Sequence, residues 1–113
     1  MASGNLNKIL PFLFVCALRV FRYLESSTWV RVNASVTGRI VNDPIWWGCP
    51  SVRLHYKFYA NGHWNKGWDV IPFESILDAR PYAGSFSHNS LRIIRVNPKN
   101  AQETHFFERD QRS

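Results

Sequence analysis

The dipeptide Asn61-Gly62 constrains this chain more than any other feature, because it lies between two apolar-patterned runs, 51–59 and 63–71. Asn-Gly between such segments is the strongest short-range hairpin signal, since both residues readily enter the left-handed region that a two-residue turn requires. The neighbouring segments fit an antiparallel β-domain. From Trp29 to Val36, the residues Val30, Val32, Ala34 and Val36 fall on one side and Arg31, Asn33 and Ser35 on the other, the alternation of a half-buried strand. The strand continues past Gly38 to about Val41, and a glycine inside a strand marks a bulge or bend. The stretch NDPIWWGCP, residues 42–50, reads as a loop. Ser75 is placed to cap a short helix, with Asp78 in capping-box position, and Pro81 is expected to kink or restart that helix. Gly84 to Asn89 is a loop, Leu91 to Val96 a strand, Asn97 to Asn100 a turn, and Gln102 to Phe107 a returning strand. The order β-β-β-α-β-β predicts a mainly β fold. It is an antiparallel five-stranded sheet or partly open barrel, with one short helix across an opening and an apolar helix at the amino terminus.

A chain of 113 residues, 45% hydrophobic and 19% charged, can build one core but not two. The expected division is an amino-terminal helix over 1–27, a β-domain over 28–108 and a tail over 109–113. Fourteen Lys and Arg against eight Asp and Glu give a net charge of +6, which favours anionic partners such as membrane surfaces or nucleic acid. The basic residues are nevertheless spread from Lys8 to Arg112 without a run of three, whereas a nucleic-acid footprint should cluster. Cys16 and Cys49 are too few for a disulfide framework or a metal-binding Cys-x-x-Cys site.

Residues 9–24 read ILPFLFVCALRVFRYL, charged only at Arg19 and Arg22. Pro11 suits the first turn of a helix running to about Glu25. The uninterrupted apolar part, Ile9 to Leu18, is half the roughly 20 residues of a spanning helix. Four readings compete: a signal peptide, which lacks a small-x-small cleavage site; a span in which Arg19 snorkels; an in-plane interfacial helix; and a helix docked on the β-domain. Membrane contact is the favoured expectation, through Leu10, Phe12, Phe14, Val15, Leu18, Arg19, Phe21 and Arg22, with the arginines among anionic head groups.

The turn at Asn61-Gly62 admits two registers. A two-residue turn places Trp64 and Trp68 with Lys57, Tyr59 and Lys66 on an outer face of aromatics and cations, suited to stacking on bases or sugars. A three-residue turn, Ala60-Asn61-Gly62, shifts the pairing by one and turns both tryptophans inward. Burying two indoles in place of Asn65 and Asp69 is worth several kcal/mol at about 25 cal/mol per Å². On that argument the tryptophans are expected in the core.

Trp29-x-x-Val32, then Tyr56-x-Phe58-x-x-x-Gly62 with Gly67, then Val96-Asn97-Pro98-Lys99-Asn100, resembles the bacterial domain of unknown function 3592 family over about residues 28–107. The family's patterns are W-x-x-V-x-G-x-V, Y-x-Y-x-V-x-G-x-x-Y-x-G and V-x-Y-N-P-x-N-P. Ala34 stands in place of Gly, Asn65 and Val96 in place of Tyr, and Ala101 in place of the last Pro. The resemblance implies a small β-rich domain beside membrane helices, without established catalytic activity. It also argues for the register that exposes Trp64 and Trp68.

Candidates for an enzyme site are His55, His63, His88, His105, Asp69, Cys49 and Ser51; in the three-residue register His55 and His63 would lie near Asp69. The pattern is thin, and no catalytic activity, metal or cofactor is expected. A partner-binding surface is expected at Trp46 and Trp47, in a loop more apolar than a turn needs, with Tyr59 and Lys57. The reading is therefore a non-catalytic module associated with a bacterial inner membrane, meeting anionic lipid and an unidentified protein. Binding of nucleic acid or another polyanion by a soluble basic barrel is the alternative.

Overall fold

The computed structural model describes residues 6–45 and 47–111, so Trp46 lies outside the described residues. Helix α1 (Leu6–Glu25) is followed by β1 (Val30–Asn42), β2 (Ser51–Ala60), β3 (His63–Pro72), α2 (Ile76–Gly84), β4 (Leu91–Asn97), β5 (Asn100–His105) and a 3₁₀ turn, Glu108–Gln111. The strands form one sheet in the order β3-β2-β1-β4-β5 with every pairing antiparallel, curled into a nearly closed barrel.

Alternation in β1 and β2 supplies the interior. Ala34, Val36, Val52, Leu54, Tyr56 and Phe58 are buried, and Ile94, Val96 and Phe106 complete the lining. Gly38 lies where expected beside a bulge: pairing passes from Val36–Tyr56 to Gly38–His55, leaving Thr37 as the extra residue. Ser75 caps α2 by accepting from the Leu77 amide at 3.1 Å, and Ala79 and Ala83 bury against the core. Pro81 neither stops nor restarts α2, which runs on to Gly84. The carbonyl its missing amide would have served is that of Leu77, in an exposed turn where water can replace the bond.

The hairpin takes the two-residue register: Ala60 pairs with His63, Tyr59 with Trp64 and Phe58 with Asn65, with φ of 55° at Asn61 and 83° at Gly62. The expectation of buried tryptophans is thereby corrected, and Trp64 and Trp68 are 65% and 55% exposed. Turning those indoles inward would have carried Lys66, midway between them, into the barrel as well. The residues inside instead are provided for. Asn65 donates to the carbonyls of Ala60 and His63 at 3.2 and 3.1 Å, and the Asp69 carboxylate accepts from the amides of Val70 and Phe106 at 2.8 Å each. Gly67, between them, lets the barrel wall close on itself: a Cβ there would lie 2.8 Å from Tyr56 Cε1 and 2.9 Å from Thr104 Oγ1.

Strands β3 and β5 approach each other without a ladder, so the seam is closed by side chains. Asp69 of β3 takes the Phe106 amide, and the Tyr56 hydroxyl and Thr104 Oγ1 share a hydrogen bond of 2.8 Å. Of the segment expected as a tail over 109–113, the described residues Asp110 and Gln111 are a working part of the fold. Asp110 holds the Arg95 guanidinium through two bonds of 2.7 and 2.9 Å, while the Gln111 side-chain amide pairs with both backbone groups of Ile93. Arg95, 1% exposed, also donates to the Tyr23 carbonyl at the end of α1 and lies over the Tyr23 and Phe107 rings.

Candidate interaction surfaces

Helix α1 begins five residues ahead of Pro11, which lies inside it rather than in its first turn. A proline there offers no amide to the carbonyl four residues back, that of Asn7. The Asn7 carbonyl instead accepts from the Gly48 amide, at 3.0 Å, in the loop between β1 and β2. Lys8 reinforces this contact, donating to the Pro44 carbonyl at 2.7 Å and pairing with Asp43 at 3.4 Å. Trp47 and Ile45 are thus held beside the start of α1 and are 63% and 85% exposed.

The helix has two unlike faces. Pro11 is buried and Phe12, Val15, Cys16, Arg19 and Tyr23 are half-buried towards the barrel, whereas Leu6, Leu10, Leu13, Phe14, Val20, Phe21 and Leu24 are each more than half exposed. These outer side chains recur at the three- and four-residue spacing of one helical face. At about 1.5 Å per residue the helix presents an apolar strip about 30 Å long. No helix among the described residues is long and apolar enough to cross a membrane.

Of the residues expected at a membrane, Leu10, Phe14, Leu18, Phe21 and Arg22 lie on the exposed side, while Phe12 and Val15 turn partly towards the barrel. Arg19 is a correction: its guanidinium points into the seam, 3.3 Å from both oxygens of Asp69, and donates to the carbonyls of Val70 and Phe106. A helix apolar nearly all round does not reveal which side its arginine serves, and here a buried carboxylate decides it.

A second surface is the outer face of the β2–β3 hairpin. Arg53, His55, Lys57 and Tyr59 from β2 stand beside Trp64, Lys66 and Trp68 from β3, with Tyr59 opposite Trp64, Lys57 opposite Lys66 and His55 opposite Trp68. Tyr59 and Trp64 meet edge to face with centroids 5.5 Å apart. The Arg53 guanidinium lies 4.8 Å from the Trp68 ring and Lys57 Nζ 5.9 Å from that of Trp64. The expected partner-binding set is therefore divided: Tyr59 and Lys57 belong to this face, and Trp47 to the loop beside α1.

Of the residues considered for acid-base chemistry, His55 is on the outer face and Asp69 inside, while His105 lies flat on Trp29 with centroids 5.1 Å apart and within reach of the Asp69 charge. Among the described residues no group of three or more His, Cys, Asp or Glu could hold a metal ion. Burial raises the pKa of both thiols, Cys16 and Cys49, away from the reactive thiolate.

The contacts of Arg19 and Arg95 had no local motif to announce them, because each partner is distant in the chain. The aromatic face did have one, in the preference of Asn-Gly for the two-residue turn. No family model, curated protein or solved structure matches the chain.

Proposed function

We propose that this protein is a non-catalytic, membrane-associated interaction or scaffold module, lying on anionic lipid through the outer face of α1 and carrying the barrel at the surface. The observation that carries this reading is the exposed strip from Leu6 to Leu24 on a helix whose other face is fastened to the barrel. Such a strip exceeds what scattered surface apolar residues account for. If each half-exposed Leu or Phe gains even about 1 kcal/mol on entering the acyl boundary, the sum reaches several kcal/mol. Trp47 at one end and Arg22 on the exposed side supply an aromatic and a cation suited to the head-group layer, and the net charge of +6 adds attraction. The motif resemblance to the domain of unknown function 3592 family supports a bacterial envelope setting and rests on those short motifs alone.

Liposome flotation of the full chain tests the reading. The wild-type chain is expected to float with anionic vesicles, with partial retention in high salt. A Leu13→Glu/Phe21→Glu variant, altered only at exposed positions, is expected to stay at the bottom while keeping its melting temperature. A folded wild-type chain that fails to float with anionic vesicles at low salt refutes the proposal. Light scattering that then finds a stable dimer, dissociated by the same variant, assigns the strip to a second copy.

A further inference from the structure

We propose that the outer face of the β2–β3 hairpin binds single-stranded nucleic acid without sequence preference. Trp64, Trp68 and Tyr59 are its stacking platforms, and Arg53, Lys57 and Lys66 its phosphate contacts.

The register brings Arg53, Lys57 and Lys66 of the hairpin onto one face. The only acidic residue of the hairpin from Ser51 to Pro72 is Asp69, and it is turned into the barrel and engaged by Arg19. The outer face of the hairpin therefore carries positive charge with no carboxylate of its own strands; across the seam, Glu103 of β5 lines one cleft with Lys66 and Trp68 and is engaged by the Asn97 side-chain amide. Lys57 and Lys66 stand directly opposite each other, an arrangement that costs stability in an antiparallel pair. Among the described residues neither forms an ion pair. A phosphate between them would relieve that repulsion.

The rings are placed for a polymer rather than for a lone anion. Trp64 and Trp68 lie on the same side of one strand, four residues apart, so their separation is about 13 Å at roughly 3.3 Å per residue, with Lys66 between them. Each is backed on one side, Trp68 by Arg53 and Trp64 by Lys57, and each keeps more than half its surface open to solvent. A base stacking on the open part of either indole would complete a cation–ring–base sandwich. Every base has a π-face, so stacking of this kind is tolerant of sequence. The face's exposed groups are aromatic and basic, unlike the apolar, uncharged strip on α1, and an apolar lipid chain would gain little from its cations.

The test is fluorescence anisotropy of a labelled oligothymidylate of about a dozen nucleotides, with the full chain in mild non-ionic detergent to cover α1. Binding at low salt is expected, with a salt slope near −2, as about three phosphate contacts to a single strand would give. Lys57→Glu/Lys66→Glu should weaken binding by roughly ten-fold or more and flatten the slope. Trp64→Ala and Trp68→Ala should each weaken it by about ten-fold and leave the slope unchanged. Trp47→Ala, on the other surface, should have no effect, and unchanged melting temperatures would show that the hairpin variants fold. Absence of binding at low salt overturns the proposal. So does binding that ignores both tryptophan substitutions, which would make the face a general contact for anions rather than a stacking surface.

Discussion

The Arg19 guanidinium and the Asp69 carboxylate meet at 3.3 Å inside the seam between β3 and β5, with side chains 15% and 9% exposed. One comes from the helix and the other from the sheet, and Asp69 also holds the Phe106 amide across the gap. Replacing Arg19 by Met leaves a buried carboxylate with amide donors alone, and the expected loss is about 3 kcal/mol. Adding Asp69→Asn removes the orphaned charge while keeping an acceptor for Phe106, so the double variant should be more stable than Arg19→Met. Urea denaturation of the three chains measures both differences. A loss below about 0.5 kcal/mol for Arg19→Met would mean that the pair is no more than a surface contact.

Gly67 lies where Tyr56 and Thr104 come closest to β3. The methyl of Gly67→Ala would fall 2.8 and 2.9 Å from them, on a ring and a hydroxyl that are themselves packed and hydrogen-bonded. The expected cost is about 1–3 kcal/mol, as for overpacking a filled core. Thr104→Ala in the same chain removes one of the two obstructing atoms and should recover part of the loss. Additive losses in a double-mutant cycle would show that the two sites do not touch.

His105 stacks on Trp29 with the two rings 7° from parallel. Burial foremost pushes its pKa below the ordinary 6.5; Arg22 and Arg19 push the same way, while Asp69 and Glu103 oppose them. The unfolded chain therefore takes up a proton near 6.5 that the folded chain still refuses. Stability is full above about pH 6.5 and declines as pH falls through the window down to the lowered folded value. The urea midpoint, followed from about pH 8 to about pH 5, should fall, and His105→Gln should flatten that part of the profile. An unaltered profile in the variant would assign the acid sensitivity to other groups.

The strands were legible because their side chains alternate and their turns carry Asn-Gly and Asn-Pro-Lys-Asn; even the bulge was marked, by Gly38. The register is not the one that burial of two indoles favours, because Lys66 lies on their side of β3 and Asp69, on the other, has Arg19, fifty positions away, as its partner. Helix α1 starts earlier than a first-turn Pro11 implies, because a donor from another element serves the carbonyl that Pro11 leaves free. The 3₁₀ turn has no hydrophobic period, and its worth lies in Asp110 and Gln111, whose partners are on β4. Of the candidate surfaces, the sequence points to Leu10, Phe14, Leu18, Phe21 and Arg22 on α1 and to Tyr59 and Lys57 on the hairpin, but not to Leu6, Leu13, Val20 and Leu24, and it places Trp64 and Trp68 inside. Their division into two faces was not legible, since that depends on the register and on which side of α1 meets the barrel.

The unladdered seam has a mechanical consequence. Elsewhere neighbouring strands are joined by rows of backbone bonds that must fail together, but β3 and β5 are joined by a few side-chain fastenings, and one of these, Arg19, belongs to α1. A pull on the helix therefore bears on the weakest join of the barrel as well as on the other attachments of α1, like a latch mounted on the handle. Whatever grips the outer side of α1 holds the wall shut while it presses inward and strains it open when it draws away.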